Sequence, residues 1–170
     1  VGLMDLSTFS KYDVKGKDAH AFLERICANK IPAKDGGIIL GHLLNANGFI
    51  ESEITVTRLA ADHFYVLSAA VAELHDLDQL TWRKRDDEQV TITDITDDWG
   101  VLVLAGPLAR DVLSPCTDID LSNANFRWLT AKTATVAGVA GVRLLRVNYV
   151  GELGWEVHVP MKDMPKVFDA

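Results

Sequence analysis

The 170-residue chain carries 17 Lys and Arg against 24 Asp and Glu, a formal charge of −7, and 48% of it is hydrophobic. That apolar fraction excludes a disordered chain and allows one core-forming domain, at most two small ones. The acidic balance argues against a duplex nucleic-acid binder or a polybasic membrane-surface protein, and no apolar run approaches the roughly 20 residues that span a bilayer.

In chain order, Lys11–Lys15 alternates polar and apolar residues, as a half-buried strand does. Gly16 ends it. Asp18 opens a helical pattern through about Ala28, with Ala19, Phe22, Leu23 and Ile26 on one face. Asn29–Gly37, with Pro32 and Gly36-Gly37, is a loop. Gly37–Asn45 and Ile50–Leu59 are strand-like runs around Asn45-Ala46-Asn47-Gly48. Asn-Gly tolerates positive φ, so the two runs form a hairpin. In its second arm Ile50, Ser52, Ile54 and Val56 point one way, and Glu51, Glu53, Thr55 and Thr57 the other. His63–Ser68 is a third adjacent strand. Ala69–Arg85 is a long helical pattern with Val71, Leu74, Leu77 and Leu80 recurring, followed by a charged turn at Lys84–Glu88. Val90–Ile95 and Trp99–Ala105 are strands joined at Asp97-Asp98. Gly106-Pro107 opens a short helix, Leu108–Leu113, because Pro suits the first helical position. Asp120 opens a helical turn over Leu121–Asn125. Ala131–Val136 pairs with Val142–Asn148, Trp155–Val159 is a further strand, and a helix runs from Met161 to Ala170.

Hairpins and short helices interleave without strict β-α-β-α alternation. The fold class expected is α+β, with antiparallel or mixed sheets and ferredoxin-like layers. No repeat, low-complexity stretch or linker is visible, so residues 1–170 read as one compact unit. The chain starts at Val1 rather than Met, shows no signal-peptide pattern, and stops inside its last helix, which reads as a piece of a longer protein.

Cys27 and Cys116 are the only cysteines and form no CxxC pair, which fits free thiols in a reducing compartment. The five histidines form no HxxxH or HExxH, no metal site is expected, and His75-Asp76 reads as polar surface on a helix. GxGxxG and GxxxxGK[ST] are absent. Three features can carry chemistry. Glu51 and Glu53 share a strand face and can divide acid and base duties, or form an ordinary solvated face. In Tyr149–Glu156 two glycines bracket an acid, so Glu152 and Glu156 either reach a pocket or face water at a turn, and Trp155 argues for packing there. Gly106-Pro107 can hold an anion or simply start a helix.

Four stretches in order resemble the aminomethyltransferase family, whose type member is the T-protein of the glycine cleavage system. They are Gly2–Ser7 followed by Lys11, Asn47–Val56, Leu104–Pro107, and Tyr149–Glu156, the last similar to the family's Y-T-G-E-x-G-x-E with Val150 in place of Thr. Glu73–Leu77 and Val150–Glu156 further resemble the C-terminal half of dimethylglycine and sarcosine dehydrogenases. The resemblance implies tetrahydrofolate as cofactor and formation of 5,10-methylenetetrahydrofolate. FAD is implied only if an upstream domain exists. Implied partners are a small-molecule amine or aminomethyl donor, or a lipoylated carrier protein in a stand-alone T-protein, with no nucleic acid and no membrane. A bacterial cytoplasm is implied ahead of the mitochondrial matrix. A non-catalytic folate-binding module is a further alternative. Residue by residue, Glu156 matches the family's pterin-binding acid and Tyr149 an aromatic flanking the pterin. Val66 and Ser68 match contacts to the ring, with Ser68 replacing a common Asn. Glu53 matches the catalytic Asp, one methylene longer.

Overall fold

A computed structural model describes residues Val1–Ala170. In chain order the elements are β1 (Gly2–Asp5), β2 (Ser10–Lys15), α1 (Ala19–Ile26), β3 (Ile38–Leu44), β4 (Ile50–Ala60), β5 (His63–Ser68), α2 (Glu73–Arg83), β6 (Thr91–Asp94), β7 (Trp99–Ala105), α3 (Ala109–Leu113), β8 (Ala131–Val136), β9 (Val139–Leu145), β10 (Gly154–Pro160) and α4 (Met164–Asp169). The strands form two five-stranded sheets, and the pairs are antiparallel. The α+β class expected from the pattern is the class observed. Although the sequence shows no linker, the chain clusters into two compact units, Thr8–Thr96 and Val1–Ser7 with Asp97–Ala170.

The Thr8–Thr96 unit has strand order β3-β4-β5-β2-β6. Tyr12, Val14, Ile54, Val56, Phe64 and Val66 share one sheet face, as pleat alternation requires, and α1 buries Ala19, Phe22, Leu23 and Ile26 against it. The β3–β4 hairpin expected from Asn-Gly forms, with Gly48 but not Asn47 at positive φ and the Asn45 side chain holding the turn. Asn45 Oδ1 accepts from the Asn47 and Phe49 amides at 2.9 and 3.0 Å, and Gly48 takes φ +82°. The helical run after β5 departs from expectation. A 3₁₀ turn covers Ala70–Ala72, and α2 proper begins at Glu73. Val71 is fully exposed and Leu74 mostly so, while Asp76 and Leu80 are the buried positions with Leu77 partly buried. The change from 3₁₀ to α winding breaks the expected stripe, and the face that packs is 76–77–80.

In the other unit the order is β1-β7-β10-β9-β8. Trp155, Val157 and Val159 of β10 join Leu102, Leu104, Val142, Leu144 and Val136 in a core capped by Ala109, Leu113, Leu121 and Phe126. Strand β1 was not anticipated; it pairs with β7 from Gly2↔Ala105 to Asp5↔Leu102. Residues 121–126 close a single turn, with the Phe126 amide donating to Ser122 O at 2.7 Å and the Ser122 amide to Asp120 Oδ1 at 2.7 Å. Strand β9 begins at Val139, earlier than expected. Ala137 and Gly138 both take positive φ (51° and 74°), which makes a two-residue hairpin loop whose twist suits its strands.

Candidate functional site

The predicted residues divide between the units. Glu53, Val66 and Ser68 lie in the Thr8–Thr96 unit, and Tyr149 and Glu156 lie in the other.

Glu53 sits on β4 opposite His42 of β3. Its Oε2 is 3.2 Å from His42 Nε2, and its side chain remains 66% exposed. Glu51, where the β3–β4 register shifts, accepts from Asn45 Nδ2 at 2.8 Å and lies 3.8 Å from His75 Nε2 of α2. Each acid of the hairpin therefore has its own histidine. Between them Ser52 points to the opposite face, where its hydroxyl donates to the buried Asp76 carboxylate, which His75 Nδ1 also meets at 2.9 Å. Of His75-Asp76, expected as surface polarity, His75 is exposed as expected, whereas Asp76 is buried against Ser52.

Strand β5 lies between β4 and β2, with Val66 opposite Val56 on one side and Tyr12 on the other. The Val66 side chain is in the apolar core. Ser68, opposite Ser10, shares that face; its hydroxyl is buried near the Tyr12 phenol without a well-formed hydrogen bond. Val66 and Ser68 thus point away from the sheet face that carries Glu53, since the paired Thr55↔Leu67 and Val56↔Val66 alternate. The Glu53 face also holds Lys11, fully buried, whose Nζ donates to Phe9 O and Thr96 O at 2.8 Å each.

The Tyr149–Leu153 turn is built by Asn148. Its Oδ1 accepts from the Gly151 amide at 3.1 Å and its Nδ2 donates to Glu152 O at 3.0 Å. Gly151 takes φ +71°. At Gly154 a Cβ would stand 2.5 Å from Leu104 O, so glycine alone lets β10 start flush against β7. The two glycines of the motif therefore have separate jobs. Tyr149 is largely exposed and Glu152 exposed, whereas Glu156 is buried. Glu156 lies between Val103 of β7 and Leu145 of β9, and its Oε2 is 3.2 Å from Nε2 of the fully buried His158. Beside them a shallow groove is lined by Met4, Val103, Ala105, Val150 and Glu152. Because Met4 and Glu156 both pair with Val103, the groove lies on the Glu156 face of the sheet.

Chemically, Glu156 offers two acceptor oxygens in a water-poor place, suited to a ligand edge with two parallel donors. Glu53 offers an accessible proton acceptor next to an imidazole. The sequence pattern assigns no role to His158 or His42 and gives Asp76 only a surface one. His158 was findable, since residues two apart on a strand share a face; His42 needed the hairpin register, and Asp76 the true start of α2.

The family model described as the GCVT N-terminal domain matches residues 1–170. Rat mitochondrial dimethylglycine dehydrogenase is 37% identical over 170 residues, 99% of this chain and 20% of its own length. Human mitochondrial sarcosine dehydrogenase is 30% identical over 182 residues, again 99% of this chain and 20% of that protein. The chain thus spans about a fifth of the length of these relatives. Similar proteins occur in bacteria as well, including the sarcosine oxidase alpha subunit of Rhizobium meliloti. Among solved structures, the glycine cleavage system aminomethyltransferase T of Bartonella henselae superposes with a TM-score of 0.84 at 24% identity, over 99% of this chain and 44% of that one. Heterotetrameric sarcosine oxidase of Corynebacterium sp. U-96 gives a TM-score of 0.76 at 22% identity, over 98% of this chain and 79% of that one. No helix is long and apolar enough to cross a membrane. A family match over residues 1–170, relatives at 30–37% identity and a shared fold lead to one statement: this chain belongs to the GCVT N-terminal domain family.

Proposed function

We propose that this domain carries out tetrahydrofolate-dependent one-carbon transfer, forming 5,10-methylenetetrahydrofolate, as the folate part of an enzyme like dimethylglycine or sarcosine dehydrogenase. In this reading any FAD belongs to a separate amine-oxidising domain, and the donor is a small amine or its aminomethyl fragment. The supporting observation is Glu156: a buried carboxylate in mid-strand, held by one histidine, at the acid of the Y-x-G-E-x-G-x-E stretch. A pterin edge presents a ring N–H and an amino group side by side, and a carboxylate is their two-acceptor complement. The residues present therefore fit the group.

Tetrahydrofolate supplies the two nitrogens that take up the one-carbon unit. Glu156 binds and orients the pterin edge, and Tyr149, exposed on the Asn148-built turn, flanks the ring. Val66, whose side chain is committed to the core, is assigned to the ring through its main chain, and Ser68 through the end of β5. Glu53 accepts the proton released from the attacking nitrogen, and His42 at 3.2 Å is placed to receive it in turn. Holding two reactants in place supplies much of the acceleration.

Calorimetry with 5-formyltetrahydrofolate, a stable stand-in for the reduced folate, tests this on the full-length protein. Glu156→Gln is expected to weaken binding by about 1.5–3 kcal/mol, the scale of a hydrogen bond to a charged group. Unchanged affinity would remove Glu156, and with it the reading.

A further inference from the structure

Building on the folate reading of Glu156, we propose that His158 is a positioning residue that aims the Glu156 carboxylate at its ligand. Strand β10 sends Trp155, Val157 and Val159 into the core and Glu156 and His158 to the other face, all of them buried. Two strand residues span roughly 6.6 Å along the backbone, and the side chains bridge that gap with a Nε2–Oε2 distance of 3.2 Å. An ionised carboxylate has no hydrogen to give, so Nε2 carries the proton and donates, whether the ring is neutral or cationic.

That donor is itself held fast. His158 is fully buried and sits between Val101 of β7 and Arg143 of β9. The Arg143 guanidinium lies 3.9 Å above the Trp99 ring, so the neighbourhood is walled by large side chains. A glutamate has three rotatable side-chain bonds, and its carboxylate otherwise samples several directions. A fixed donor on Oε2 selects one of them and leaves Oε1, together with the second lone pair of Oε2, for a two-donor ligand edge. The ordering cost is then met before the ligand arrives, which shows as affinity.

The competing role is purely structural: His158 makes a buried carboxylate tolerable and does nothing for the ligand. Three substitutions separate the two in the full-length protein, read by calorimetry with 5-formyltetrahydrofolate and by thermal unfolding. The amide nitrogen of Gln lies four bonds from Cα, as Nε2 of His does, so His158→Gln keeps a donor in reach. His158→Met keeps the bulk without the donor, and His158→Asn keeps a donor one bond short. We expect His158→Met to lose about tenfold in affinity and His158→Gln to stay within about threefold, the scale of one charge-assisted hydrogen bond. In a Glu156→Met background neither should change affinity further, because no acceptor remains for them to act through. A structural role predicts that Met does no worse than Gln and that losses are the same in both backgrounds; that outcome overturns the proposal. Should His158→Met fail to fold, His158→Asn replaces it, with equal affinities for Asn and Gln as the overturning result. If Glu156→Gln alone leaves affinity unchanged, the folate reading falls and takes this role with it. If Glu156→Gln weakens binding while His158 changes have no effect or add independently, only the His158 role falls.

Discussion

Glu53 and Glu156 are the same side chain in two settings. Glu53 is exposed beside a cross-strand histidine, and Glu156 is buried beside one on its own strand. Exposure suits a group that must pass a proton on, and burial suits one that must hold a partner without competition from water. Glu53→Gln should therefore lower formation of 5,10-methylenetetrahydrofolate about a hundredfold, the low end of general acid–base catalysis, while 5-formyltetrahydrofolate affinity stays put. A parallel loss of affinity would place Glu53 in binding instead. Asp76 carries a different load, since it accepts from Ser52 and meets His75 while almost fully buried. Asp76→Ala leaves the Ser52 hydroxyl without its acceptor and should cost about 1–3 kcal/mol in urea unfolding. Strand alternation is local, so the separation of Glu53 from Ser52 was legible in the sequence; the register shift at Glu51, which brings that acid to His75 of α2, was not. The burial of Glu156 and Asp76 was not legible, because it depends on what covers each face.

Among the elements, α2 is where the sequence pattern and the packed helix differ. Leu74 and Leu80 look equivalent in the apolar stripe, yet Leu74 is 74% exposed and Leu80 fully buried. Leu80→Ala should cost about 2–5 kcal/mol, as core truncations do, and Leu74→Ala within about 0.5 kcal/mol, as surface changes do, both by denaturant unfolding. The β2–β5 pair adds a pH dependence. Burial opposes ionisation of Asp13, but hydrogen bonds from His63 (2.9 Å) and Lys15, with their charges, outweigh it and hold the carboxyl below its ordinary range. A group with a depressed folded-state pKa stabilises above its unfolded value, and that stability is lost as pH falls through the folded value. Unfolding free energy should therefore decline below about pH 4, with a shallower decline in Asp13→Asn; parallel curves would show that other acids dominate.

At the scale of the whole chain, the division into units runs across the sequence order. Val1–Ser7 belongs with Asp97–Ala170 because β1 pairs with β7, roughly a hundred residues later, and Ser7 Oγ accepts from the Val101 amide at 3.0 Å. The two cysteines fall one to each unit. Cys27 is in the core, and burial pushes its thiol pKa up, while Cys116 is partly exposed. Iodoacetamide at neutral pH should therefore modify Cys116 first and Cys27 only on unfolding; early Cys27 labelling would contradict its burial. The sequence by itself determined what local chemistry controls: the Asn-Gly hairpin, the alternation that separates Glu53 from Ser52, the α+β class, and the glycine-bracketed turn before Glu156. Only the tertiary structure decided that β1 joins a distant strand, that α2 turns Asp76 inward, and that His158 meets Glu156 in a buried face. Those outcomes follow from strand partners and burial, both of which are settled between residues far apart in the chain rather than by any one stretch of it.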